Sequence, residues 1–320
     1  MGSYKLKYTD RGKMGSALQL WQQTYKYMRS ANAGSFGSRK TNFDRLSGFV
    51  DFVGETFKLQ KIENIKDKHI LAYIDHAFKN GDSSSEVWNT VAAVQYLGRQ
   101  IPGERKFGET SDIKKTYIDQ RKAAEPSFNK KDVQRHYIGT GKNPAWTEGE
   151  RERGTLLALQ MKRYDAALSL QFGLALGTRL HETFRQNRNS IGKALETGYL
   201  TTKGKGGLIR DIPVNSRLAR EVLELAYKQT NSAKERAFVD TDQLTHKAMK
   251  SVQNWIYNHR EKFADSPDRQ LTYHGLRHTY AQQEYERIER LTGNSHEALR
   301  QVSEQMGHHR EWITKIYLSN

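Results

Sequence analysis

The sequence predicts a mainly α protein with one small β-sheet, built as an N-terminal four-helix domain followed by a larger α+β domain. Three observations lead there. Four amphipathic segments, separated by stop signals, occupy residues 16–104. A single pair of strand-like runs flanks Gly204-Lys205-Gly206-Gly207. The texture changes at Trp146, where a polar stretch of mixed charge over 105–145 gives way to Ala- and Leu-rich chain. A length of 320 residues suits two domains of about 100–200 residues each.

Residues 1–15 carry Lys5, Lys7, Arg11 and Lys13 with few apolar neighbours, and are expected to form a basic arm. The first helix is expected over Ser16–Ala33, with Leu20, Tyr27 and Met28 among its apolar residues. The second opens with Ser38 as N-cap, and its Phe43, Leu46, Val50, Val53 and Phe57 fall on one helical face. The third runs over about Asn64–Lys79 and stops at Asn80-Gly81, a left-handed helix end. The fourth starts from a capping box, Ser83-x-x-Glu86, turns Val87, Val91 and Val94 inward, and ends before Pro102-Gly103. Residues 105–145 read as a linker with short helices.

In the second domain, over 146–320, a helix around Tyr164–Leu176 is apolar nearly all round and is broken by Gly177; another starts near Arg179. Gly198–Lys203 and Leu208–Val214 form a β-hairpin with Lys205 at its tip. Helices follow near Ser216–Gln229, Thr241–Lys262, His274–Leu291, His296–Met306 and His309–Leu318.

Cysteine is absent, which removes disulfides, thiol nucleophiles and thiolate metal sites. Lys and Arg number 52 against 36 Asp and Glu, a net charge of +16. Such a surplus, spread along the chain, attracts polyanions, nucleic acid first among them. Mean hydropathy is −0.84, and no apolar run approaches the roughly 18 residues of a membrane span, so a cytoplasmic, nucleoid-associated protein without a membrane partner is expected.

The chemistry-bearing residues are individually modest. Arg179-x-x-Glu182 reads as a helix-terminal ion pair, and Glu182 is assigned to structure. Lys205 reads as a loop lysine, and Tyr317 as an aromatic that docks the terminus. His274 and His278 stand four apart, as a metal pair would, but the glutamate of a His-Glu-x-x-His helix is missing and no third ligand presents itself; no metal is expected. In order, however, Arg179, Lys205, His274, Arg277, His308 and Tyr317 supply three cations, two imidazoles and a phenol, with no carboxylate. That set is wrong for glycoside hydrolysis or Mg²⁺ binding. It suits metal-free attack on a phosphodiester: guanidinium groups grip the non-bridging oxygens, a lysine protonates the leaving oxygen, and a phenol, titrating ordinarily near about 10, is activated by cations or an imidazole.

In order and spacing these residues resemble the catalytic domain of the tyrosine recombinases, the phage-integrase family. Gly177-Thr178-Arg179-Leu180-His181-Glu182 is similar to the family's first-arginine motif, and Thr202–Pro213 to its lysine hairpin. Tyr273-His274-Gly275-Leu276-Arg277-His278-Thr279-Tyr280-Ala281 is similar to the His-x-x-Arg box, and Met306-Gly307-His308 with Tyr317 nine residues on to the closing box. The resemblance covers 146–320 closely and the first domain only in architecture. It implies a core-binding (SAM-like) domain and a catalytic domain that close as a C-shaped clamp on double-stranded DNA with inverted half-sites, and a tetramer on two sites, with an accessory directionality factor among the partners. Tyr317 would attack the scissile phosphate to form a 3′-phosphotyrosyl link. Arg179 and Arg277 would bind the phosphate, Lys205 would protonate the 5′-oxygen, with Lys203 as second choice, His274 would assist proton transfer, and His308 would hydrogen-bond the phosphate. The covalent link conserves bond energy, so the resemblance implies no cofactor: neither ATP nor metal. It also implies a role in integration or excision of a mobile element.

Two departures stand out. Many members continue past the nucleophile with a helix that docks on the neighbouring subunit, whereas only Leu318, Ser319 and Asn320 follow Tyr317; either subunits couple by another route or the chain is shortened. In the hairpin, Gly207-Leu208 replaces the usual polar residue after the glycine. For DNA recognition, Ser38, Arg39, Lys40 and Thr41 offer two cations and two hydroxyls at the start of the second helix. A type IB topoisomerase uses a similar set of groups but would relax supercoils as a monomer, whereas a recombinase assembles on paired inverted half-sites; a non-catalytic DNA-binding regulator would have no reason to place Lys205 and Tyr317 where this chain does.

Overall fold

A computed structural model of the chain describes residues 5–31, 36–103, 107–133, 143–204, 207–232, 235–308 and 311–318. The chain divides into two compact units, residues 1–136 and 137–320.

The first unit contains α1 (Gly15–Arg29), α2 (Phe36–Phe57), α3 (Asp67–Lys79), α4 (Ser84–Gly98) and α5 (Thr110–Ala124). Its core is aliphatic and aromatic: Leu20, Leu46, Phe49, Val50, Val53 and Ile74 are wholly buried, and Trp21 stacks on Phe43 with ring centroids 4.3 Å apart. Helices α1 and α2 approach closely because α2 carries glycine at position 54; a Cβ there would lie 2.6 Å from the Ala17 backbone. The capping box of α4 forms, Ser83 Oγ accepting from the Glu86 amide and the Glu86 carboxylate accepting from the Ser83 amide. Val87, Val91 and Val94 point inward.

Three expectations for this unit change. Helix α2 begins at Phe36, so Ser38 lies inside its first turn and is not the N-cap. The arm is folded against the helices over its described residues. Leu6 is buried, Trp21 Nε1 donates to the Thr9 carbonyl at 2.8 Å, and buried Lys13 pairs with Asp51 at 2.5 Å. The stretch expected as a linker with short helices carries a longer helix than expected, the 15-residue α5, which buries Ile113 and Tyr117. Its charged sequence has so few inward positions that the apolar period is faint.

The second unit contains α6 (Glu148–Gln160), α7 (Tyr164–Leu176), α8 (Leu180–Thr183), α9 (Arg188–Thr197), β1 (Tyr199–Lys203), β2 (Ile209–Pro213), α10 (Arg217–Lys228), α11 (Thr245–His259), α12 (Tyr273–Thr292), α13 (Ser295–Gln305) and α14 (Glu311–Leu318). As its sequence suggested, α7 is buried on nearly every side, and it packs against α6, α10 and α12. Gly177 ends it in the left-handed region at φ 57°, where a side chain would collide with Tyr280. The two strands pair antiparallel with Thr202 opposite Arg210 and Lys203 opposite Ile209. Leu200, Thr202, Arg210 and Ile212 face inward. Helix α6 was not anticipated. Its signal is the capping box Thr147-x-x-Glu150, which forms, but its charged sequence hides the apolar face. No helix among the described residues is long and apolar enough to cross a membrane.

Candidate active site

The site is assembled from helix starts and one helix face. Gly177 turns the chain out of α7, leaving Arg179 as the N-cap residue of the single-turn helix α8. One turn on, Glu182 accepts from the Arg179 backbone amide at 2.8 Å and from Arg179 Nη1 at 2.9 Å. The other partner of Glu182 comes from the hairpin: Arg210 reaches across from β2 and donates Nη1 and Nη2 to the two carboxylate oxygens at 3.0 and 2.9 Å. Burial alone would raise the Glu182 carboxyl, but Arg210, the Arg179 amide and the Arg179 guanidinium prevail and hold it at about 2. A doubly paired carboxylate that stays ionised at neutral pH is a fixture. It pairs with Arg179, which remains a quarter exposed.

Helix α12 supplies the next group. Its first turn carries His274 and Arg277 on one face, as their spacing predicts. Arg277 is 1% exposed and donates to the carbonyls of Gly177 and Met306, so one guanidinium joins the end of α7 to the end of α13. Its Nε has no hydrogen-bond partner, and among the described residues no carboxylate pairs with it. Burial, then the neighbouring Arg210 and Arg179, lower the Arg277 guanidinium to about 9. A buried cation whose hydrogen bonds among the described residues go to carbonyls, with no paired carboxylate, is one that an anion would complete.

Helix α14 brings Tyr317 against this group. Its hydroxyl lies 3.1 Å from His274 Nε2, its ring stacks on His278 with centroids 4.2 Å apart, and the His308 ring is 4.9 Å away. The Arg277 guanidinium carbon is 5.9 Å from the centre of the same phenol ring. Burial, then Arg277 and Arg179, lower the His274 imidazole to about 4, so it is neutral at pH 7 and stands within hydrogen-bond reach of the phenol. Burial and the three arginines Arg277, Arg179 and Arg210 lower His308 to about 3. Its Nδ1 faces Thr314 Oγ1 at 3.2 Å. Arg179 and His274 also line a cavity of about 620 Å³ with Lys250, Gln253, Asn254 and Tyr257 of α11. Four side chains expected together, His274, Arg277, His308 and Tyr317, are thus in mutual contact or nearly so, with Arg179 close enough to depress both imidazoles.

Other expected residues stand apart or cannot be placed. Lys205 lies outside the described residues. Lys203 is exposed, on the opposite strand face from Thr202 and Arg210. In the first unit, Arg39 Nη1 donates back to the Ala31 carbonyl at 2.5 Å and Lys40 pairs with Asp44 at 2.5 Å, while Ser38 and Thr41 share the first turns of α2.

Two contributors went unassigned in the sequence. Arg210 could have been flagged as a cation at an inward strand position, where an apolar residue is usual. His278 shares the His274 face, a spacing weighed in the sequence only as a metal pair; burial, then His274 and Arg277, lower it to about 4 as well, which keeps it neutral against the phenol. Among the described residues no group of His, Asp and Glu side chains has the arrangement of a metal site.

No protein-family model matches the sequence, and a search of curated proteins finds no match. Solved structures do match. A lambda integrase tetramer bound to a Holliday junction aligns over 94% of this chain and 76% of its own, with a TM-score of 0.60 and 12% identity. The Tn1549 transposon integrase in complex with transposon right end DNA aligns over 96% and 95%, with a TM-score of 0.57 and 14% identity. A lambda integrase dimer bound to a COC′ core site aligns over 93% and 94%, again at 0.57 and 14%. These neighbours are tyrosine recombinases, and the chain has their fold.

Proposed function

We propose that the protein is a site-specific tyrosine recombinase that cuts and rejoins DNA through Tyr317. One observation carries this reading: a buried tyrosine hydroxyl sits on a neutral imidazole, His274, beside a buried guanidinium, Arg277, that pairs with no carboxylate among the described residues. A nucleophile within reach of a base, next to a cation that lacks its anion, is the arrangement that phosphoryl transfer needs.

In the proposed reaction a DNA phosphate enters between Arg179 and Arg277, which neutralise its non-bridging oxygens as charge builds on them. The Tyr317 oxygen attacks phosphorus and its proton passes to His274. A phosphotyrosyl bond forms and the bond to the 5′-oxygen breaks, that oxygen taking a proton from Lys205. Attack by a 5′-hydroxyl reverses each step and seals a strand. With Nδ1 facing Thr314, His308 presents its other nitrogen to the phosphate. Glu182, pinned by Arg210, keeps Arg179 aimed. Double-stranded DNA with inverted half-sites, assembly to a tetramer and a role in moving a genetic element belong to the same proposal. So do an accessory directionality factor, and the division into a core-binding domain and a catalytic domain that close on the duplex.

The test is a nicked suicide duplex that traps the covalent intermediate. Tyr317→Phe should keep DNA binding and lose trapping by roughly 10³-fold or more, the scale of removing a nucleophile. Trapping at the wild-type level would refute the assignment. Plasmid relaxation without recombination between two sites would place the chemistry with topoisomerases instead.

A further inference from the structure

The face of α12 that carries His274 continues for two more turns, through His278 to Gln282, each four residues from the last. All three touch the same tyrosine at different heights. His274 meets its hydroxyl at 3.1 Å, and His278 stacks on its ring at 4.2 Å. Gln282 donates Nε2 to its backbone carbonyl at 2.9 Å. That carbonyl lies in the last turn of α14, where carbonyl oxygens have no amide within the helix to receive. Gln282 therefore does for the end of α14 what a capping side chain does, from a neighbouring helix.

The same amide has a second attachment. Gln282 Nε2 also donates to Asn143 Oδ1 at 3.1 Å, and Asn143 Nδ2 returns a bond to Gln282 Oε1 at 3.4 Å. Asn143 lies six residues into the second unit, on the segment by which the chain enters it. From Asn143 onward the chain is held firmly. Arg269 donates to the carbonyls of Asn143 and Ala145, at 2.6 Å in each case, and both oxygens of buried Glu150 accept from Arg269. The Trp146 amide donates to Thr279 Oγ1, on α12 between His278 and Gln282, at 2.8 Å.

We propose that Gln282 is a positioning residue for the nucleophile: it fixes the Tyr317 backbone to α12 and, through Asn143, to the entry segment of the second unit. The hydroxyl is then aimed from both ends, by His274 at its tip and by Gln282 at its root. Phosphoryl transfer is sensitive to this, because a shift of about 1 Å in a reacting group can cost on the order of 10²-fold in rate. The inference rests on the proposed reaction for its rate effects, but its structural half stands separately.

The experiment uses the full chain. Gln282→Met keeps length and removes both donors; Gln282→Glu keeps shape and sets a carboxylate oxygen against the Tyr317 carbonyl. In single-turnover trapping at saturating nicked duplex, both should slow cleavage on the order of 10–100-fold while the DNA dissociation constant stays within about twofold. Asn143→Ala should give a smaller loss, and adding it to Gln282→Met should cost little more, since one amide bridge is removed either way. A second readout needs no DNA: nitration of Tyr317 by tetranitromethane, followed by peptide mass spectrometry, should be severalfold faster in the Gln282 variants. Wild-type cleavage in both variants would overturn the proposal. So would faster cleavage, which would make the bond a brake, a fall in rate matched by lost binding, or unchanged nitration. If the wild type traps no DNA while the nitration difference holds, the reaction assigned to Tyr317 fails and the positioning of its side chain survives.

Discussion

The two units bury different materials. The first closes around Leu20, Trp21, Phe49, Val50 and Ile74, and the buried polar groups among its described residues are Lys13, Thr24, His69, Thr90 and Gln95. The second has an equally apolar centre in Phe172, Leu176, Phe184 and Leu223, yet it also buries Glu150, Glu182, Arg210, Arg277, His278, Glu284 and His308. Desolvating a charge costs several kcal/mol even after relaxation, so packing alone gives no reason to put it inside. The pairs divide into two kinds. Glu150 with Arg269 and Glu182 with Arg210 are closed ion pairs that tie separate segments together. Arg277, held by carbonyls, is open. The contrast teaches where to look for chemistry: at the buried charge whose partner is not a carboxylate.

The sharpest way to break that comparison is to open a closed pair. Glu182→Gln leaves Arg210 and Arg179 without their shared carboxylate and should cost about 3–5 kcal/mol in chemical denaturation, the scale for removing one partner of a buried pair. The contribution depends on pH in a set direction. Glu182 is held at about 2, below its ordinary 4.5, so its stabilisation is complete above about 4.5 and is lost as pH falls toward 2. A loss below about 1 kcal/mol at pH 7 would mean that the pair is no more than surface-like.

A cavity in the other core is the control. Leu46→Ala, at a wholly buried position of α2, should destabilise by about 2–5 kcal/mol while leaving the trapping rate unchanged at saturating DNA. A matching loss of cleavage would erase the distinction between the units.

Acid should sharpen it further. His274, His278 and His308 are held at about 4, 4 and 3, below the ordinary 6.5, because burial and nearby cations disfavour the imidazolium. Below 6.5 the unfolded chain takes up protons that the folded chain refuses. Stability is therefore full above about 6.5 and declines as pH drops toward 4 and then 3. Unfolding midpoints at pH 7.5 and 5.0 should differ, and His278→Gln should narrow the difference. Equal midpoints in the wild type would contradict the burial assigned to these rings. At the small end, Arg217→Ala removes an exposed pair with Glu221 on α10 and should change stability by less than about 0.5 kcal/mol.

Much of this was legible in the sequence, for local reasons. The α4 capping box, the Gly177 stop, the hairpin and the all-round burial of α7 each depend on residues a few positions apart, and local signals suffice for such features. The residues His274, Arg277, His308 and Tyr317 were found by type and order, and the fold brings them together. What stayed hidden depends on distant partners. Arg210 matters because Glu182, 28 residues away, accepts both its Nη groups. Gln282 matters because Tyr317 and Asn143, 35 and 139 residues away, meet at its amide. Periodicity shows which way a side chain faces, but not what waits for it there. Helices α5 and α6 were hidden differently, their charged sequences leaving too few inward positions to register as a period.

The most direct test of the proposed reaction is to identify the atom that becomes joined to DNA. After trapping on a nicked duplex and digestion with trypsin and nuclease, the nucleotide-bearing peptide should be Ile316–Asn320, which follows Lys315, with the adduct on Tyr317. An adduct on Tyr273, Tyr280 or any other residue would contradict the account, and so would a protein that recombines DNA with no covalent peptide at all.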